Sequence, residues 1–165
     1  MPLGKPARPM PVAESVAQFL SGLLGKPVQV DKSREPVALA EDPDRPPVVT
    51  VMYLDDEGGL GGMCVAELSI AAGCGAALAL MPPQVAQEAV QDRALPDNLG
   101  DNWHEVANVM VQLVNGPAVT HLRTGDMALG ATDDVRAFAE KAPGHRHFAV
   151  TIIGYPTGHL SFYAL

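Results

Sequence analysis

The segment Leu68 to Met81, LSIAAGCGAALALM, carries no charge, and the uncharged run continues to Gln87. At about 14 residues before Pro82-Pro83, its apolar part is too short to cross a bilayer, which takes about 20. A run of this kind has to be enclosed by the rest of its own chain, and it suits a buried core segment. Its Ala and Leu content favours helix, while its two glycines and uniform apolarity also fit a buried strand. Helix is the reading taken. With 165 residues, 47% of them hydrophobic, the chain can form one well-filled core. It reads as a single domain over residues 12–165, with residues 1–11, MPLGKPARPMP, expected to be a flexible tail and not a secretory signal, since no apolar stretch follows Lys5 and Arg8.

Charge narrows the function classes. The net charge is −8, and residues 51–165 hold thirteen acids against five bases. Nucleic-acid binding requires clustered Lys and Arg, so that class is excluded, as is a membrane-spanning role. A soluble, cytoplasmic protein with a basic or Lys-bearing protein partner is expected. Cys64 and Cys74 lie in apolar or Gly/Ala surroundings without CxxC spacing and read as reduced, buried thiols.

Periodicity supplies the elements. VAESVAQFLSGLLG places Val12, Val16, Phe19, Leu20, Leu23 and Leu24 on one helical stripe, with Gly25 as its stop. KPVQV and PVALA are short strand candidates, and EDPDRPP is a turn cluster. VVTVMYLDD and MCVAE form a hairpin across EGGLGG, which joins two strands and lacks the spacing of a phosphate-binding loop. PPQVAQEAVQDRAL is a helix opened by proline. THLRTGDMALG is a strand, and TDDVRAFAEKAPG a short helix capped by Thr132. HFAVTIIGY and HLSFYAL close the chain as a hairpin. The fold class is therefore α+β, an antiparallel sheet with helices packed on one face. The last strand has no charge between Leu160 and Leu165, so at a sheet edge it would lack the usual protection against pairing and could support a homodimer.

The most informative helix is DNWHEVANVMVQLVNG, residues 101–116. At 100° per residue, Asp101, Glu105, Asn108, Gln112 and Asn115 fall within about one quarter of its circumference. Trp103, Val106, Ala107, Met110, Leu113 and Val114 cover the opposite side. A solvated ridge usually mixes Lys and Arg among its acids to gain pairs at i, i+4, and this one has none. Its amides lower helix propensity and add no charge, so something other than helix stability selects them.

Asp101-xxx-Glu105-xx-Asn108 resembles the (D/S)-x-x-x-E-x-x-N signature of the CheC, CheX and FliY chemotaxis phosphatases. The order of elements from residue 12 to 165 is similar to that family in outline. The resemblance implies a CheC/CheX-like fold and hydrolysis of the aspartyl-phosphate of a response-regulator receiver domain. It implies that Asn108 orients the attacking water and Glu105 pairs with a lysine of the partner, as catalytic residues, with Asp101 and Gln112 flanking as partner-binding positions. No cofactor of its own is implied, because Mg²⁺ would be supplied by the receiver domain. Two features depart from the family: Ala131 stands where its pattern has proline, and TDDVRAFAEKA is inserted before the final hairpin. The alternative is a non-catalytic module of the same fold that binds a regulator or itself.

The remaining candidates point elsewhere. His104, at the edge of the same helix, reads as structural. His145 and His147 share a face if GHRH is extended, but spacing offers no third ligand, so no metal site is expected. No G-x-S-x-G or catalytic Cys/His pattern occurs, which argues against a hydrolase with its own nucleophile.

Overall fold

The computed structural model describes residues 8–165. Six strands form one antiparallel sheet in the order β1-β5-β6-β3-β2-β4, namely β1 (Val28–Lys32), β2 (Val48–Leu54), β3 (Leu60–Glu67), β4 (Arg123–Leu129), β5 (Gly144–Ile152) and β6 (Gly158–Ala164). Helices α1 (Ala13–Leu24), α2 (Leu68–Leu78), α3 (Pro83–Asp92) and α4 (Asp97–Met110) are joined by α5 (Asp133–Lys141) near the end of the chain.

Strand alternation sorts the core into two sides. Val49, Val51 and Tyr53 of β2, Cys64 and Ala66 of β3, Phe148, Val150 and Ile152 of β5, and Leu160 and Phe162 of β6 face α1, α2 and α4. The intervening residues Met63, Val65 and Tyr163 face the other way and pack with Val135, Phe138 and Ala142 at α5. The α+β architecture and the main helical layer follow the sequence pattern. One helix, α5, lies on the opposite face, which the sequence reading did not anticipate.

The apolar run is a helix, α2, with every residue from Ile70 to Ala77 buried. Its small side chains permit close approach: a Cβ built on Gly75 would stand 2.6 Å from the carbonyl oxygen of Leu99 in α4. The β2–β3 turn closes on Asp55, whose Oδ1 accepts from the amides of Glu57 and Gly59 at 2.9 and 2.8 Å, while Gly58 takes φ of 81°. That geometry makes EGGLGG a hairpin turn.

Four expectations are corrected. PVALA is not a strand: the segment crosses the sheet as a loop, and the amide of Val37 donates to Ser161 Oγ at 3.0 Å. HLSFYAL is interior, because β6 pairs with both β5 and β3, so the edge argument for a homodimer fails and the sheet ends at β1 and β4. Residues 1–7 of the expected tail lie outside the described residues. The rest of it is held, with Pro11 buried and the Arg8 guanidinium donating to the carbonyls of Val114, Thr120 and Leu165 at 2.9, 2.9 and 3.2 Å. Finally, the helix expected over 101–116 starts earlier, at Asp97, and ends at Met110, where it tightens into a 3₁₀ turn over Val111–Val114.

Candidate functional site

Helix α4 is fixed from below and from both sides. Trp103, Val106, Ala107 and Met110 have no exposed surface. The Tyr53 hydroxyl, buried on β2, donates to the carbonyl of Ala107 at 2.9 Å and ties the underside of the helix to the sheet. On one flank Asn102 Nδ2 donates to the carbonyl of Gly75 in α2 at 3.0 Å. On the other, His104 Nε2 lies 2.8 Å from the carbonyl of Gly125 in β4. A carbonyl can only accept, so His104 carries its proton on Nε2 in this contact.

Between those flanks runs the ridge. Asp101, Glu105, Asn108 and Gln112 are all exposed, and none of their side chains takes part in a hydrogen bond or ion pair among the described residues. Residues three and four apart on a helix have Cβ atoms about 5–6 Å from one another, so Glu105 and Asn108 can reach one partner group together. Asn115, the fifth member of the expected stripe, is not part of it. Its Nδ2 donates to the carbonyl of Leu122 and its Oδ1 accepts from the Leu122 amide, both at 2.8 Å. Asn115 therefore stitches the 3₁₀ turn to the chain entering β4. Leu113, expected on the buried side, is half-buried because the tighter turn rotates it outward.

Sequence reasoning missed the supports. Asn102 escaped because it lies off the ridge, and Asn115 was counted on it; an amide next to a helix end, spaced for a side-chain cap of a following loop, is the signal that could have found the latter. The position of Ala131, where the resembling family has proline, is also informative. Ala131 packs against the second cluster, on the sheet face away from α4.

The ridge is convex. A cleft of about 570 Å³ opens elsewhere, between residues 37–48, the start of α2, Arg93 and the end of β4, and contains none of the ridge residues. Small-molecule chemistry favours concave sites. A convex ridge of acid and amide groups instead suits insertion into the concave surface of another macromolecule. No group of three or more His, Cys, Asp or Glu side chains able to hold a metal ion occurs among the described residues. No helix there is long and apolar enough to cross a membrane.

No protein-family model matches the chain, and no curated protein matches it in sequence. Solved structures do match in shape. The FliM middle domain from H. pylori superposes with a TM-score of 0.61 at 13% identity, covering 92% of this chain and 84% of that one. A FliM–SpeE complex from H. pylori gives 0.62 at 14% identity, over 92% and 80%. CheX from Desulfovibrio desulfuricans gives 0.50 at 13% identity, over 92% and 95%. The chain has the fold of CheX and FliM middle domains, a CheC-like α+β fold.

Proposed function

We propose that this chain is a phosphatase for the aspartyl-phosphate of a response-regulator receiver domain, acting through Asn108 and Glu105. The observation that carries the reading is the exposed, unpaired Glu105–Asn108 pair on a helix whose other three sides are immobilised. Phosphoryl transfer depends chiefly on positioning and electrostatics, so an amide held on a rigid element can act without a nucleophile of its own. Asn108 would enter the receiver's active site and hold a water in line with the acyl phosphate. Glu105 would pair with a lysine beside the phosphoryl group, with Asp101 and Gln112 bordering the contact. Mg²⁺ would come with the receiver, and such a partner would place the chain in the cytoplasm.

A second reading, a non-catalytic interaction module, is favoured by the better superposition on FliM middle domains, 0.61, than on CheX, 0.50. The two separate in one assay. Receivers of the same organism are phosphorylated with a small acyl-phosphate donor, freed of donor, and their decay is followed with and without substoichiometric amounts of this chain. Turnover of several receivers per chain supports the phosphatase. Saturable binding without faster decay assigns the module, and neither effect with any receiver removes both.

A further inference from the structure

His145 and His147 lie on the face of β5 away from α4, opposite Tyr163 and Ser161 of β6 in the antiparallel register. His145 Nδ1 and His147 Nε2 stand 3.2 Å apart, with ring centroids separated by 5.2 Å. An imidazole nitrogen binds a transition ion at about 2.0–2.1 Å, so two nitrogens on one ion at angles between square-planar and tetrahedral are about 2.9–3.4 Å apart. The observed gap falls inside that span. From the geometry we infer that His145 and His147 form a two-histidine site for a divalent transition-metal ion of the Cu²⁺, Ni²⁺ or Zn²⁺ class, with water completing the coordination.

Two further features fit a ligand pair. The second nitrogen of His147, Nδ1, lies 2.8 Å from Ser161 Oγ, and Ser161 is fully buried and also accepts from the Val37 amide. A hydrogen bond at the far nitrogen fixes ring orientation and tautomer, as supports behind metal-bound histidines do. The edge of Tyr163 packs against the same ring at a centroid distance of 5.7 Å. Arg146 alternates to the other side of the strand and donates to the carbonyl of His145 at 2.8 Å. Binding takes both rings as neutral imidazoles, with protons on His145 Nε2 and His147 Nδ1, and therefore needs a tautomer change and no net proton loss. Counting to three ligands excludes this site from the sequence; open sites on imidazole pairs need only two from the chain.

The test uses the full chain and Cu²⁺ alone, read by calorimetry and by electron paramagnetic resonance. His145→Gln is the primary variant because it leaves the His147–Ser161 contact in place, and His104, His121 and His159 remain as internal controls. One equivalent of Cu²⁺ should show coupling to two imidazole nitrogens, falling to one in His145→Gln with at least about tenfold weaker binding. His147→Gln should behave alike. Equal affinity and an unchanged spectrum in wild type and His145→Gln would overturn the site, leaving the pair as one imidazole hydrogen-bonded to another. Neither outcome touches the phosphatase reading, since Asn108 and Glu105 are on the opposite face.

Discussion

Gly75→Ala tests how α2 positions the helix that carries the ridge. A methyl group at residue 75 would meet the Leu99 carbonyl oxygen at 2.6 Å, Leu99 Cα at 3.1 Å and the Leu99 carbonyl carbon at 3.2 Å, all backbone atoms that cannot rotate away. The helices must separate, and overpacking of this kind costs about 1–3 kcal/mol. Alanine in a helix gains back about 1 kcal/mol over glycine, so the net should be a loss of up to about 2 kcal/mol. Separation would also strain the Asn102 bond to the Gly75 carbonyl. Gly22→Ala is the matched control: it lies in α1 with nothing within 4 Å of the new Cβ, so only the propensity gain remains. Urea unfolding followed by far-ultraviolet circular dichroism should give a lower midpoint for Gly75→Ala and an equal or higher one for Gly22→Ala. Two variants shifted upward together would refute the close-approach argument, because propensity alone would then explain both.

Met110→Ala should cost about 2–5 kcal/mol in the same assay, since Met110 is fully buried, whereas exposed Gln112→Ala should change stability by less than about 0.5 kcal/mol. Asn115→Ala strands both backbone groups of Leu122 and should cost about 1–3 kcal/mol, with hydrogen exchange rising locally at the Leu122 amide. Burial pushes the Cys74 thiol up to about 12 and raises that of Cys64 further, so neither should react with a disulfide reagent until the chain unfolds. The same shift sets a pH dependence. Unfolded thiols ionise near ~8.5 while the folded ones keep their protons, so the unfolded chain binds fewer protons there, and the urea midpoint should fall as pH rises from about 8.5 to 10.

The ridge was legible because a 3.6-residue period acts locally: four polar positions along α4 and the 3₁₀ turn after it, and four buried ones on α4, follow from spacing alone. What escaped depends on contacts between distant segments. Asp97 to Gly100 fell outside the helix expected over 101–116, yet Pro96 sits where a helix needs no amide donor and Gly100 is buried beside Met127. Strand order cannot be read from β6 itself, since a strand covered on both faces and paired on both edges is uniformly uncharged for the same reason that an unprotected edge would be. PVALA has strand composition but takes its hydrogen bond from Ser161, a partner more than a hundred residues away. Three asparagines, Asn102, Asn115 and Asn108, illustrate the limit: identical side chains hold a helix, hold a loop or face solvent, and only tertiary structure separates them.

The most direct measurement follows a phosphorylated receiver and compares wild type with Asn108→Ala and Glu105→Ala, recording affinity and the rate constant of the bound complex separately. A group that acts on water in the transition state should affect rate and leave binding nearly intact. Asn108→Ala is predicted to keep its affinity while losing at least about 100-fold in rate. Glu105→Ala should weaken docking about tenfold or more through loss of a charge across the interface, with added salt mimicking part of that loss. If Asn108→Ala retains the wild-type rate in the bound complex, or if wild type binds the receiver and leaves its phosphate lifetime unchanged, Asn108 does not position water and the catalytic account is wrong.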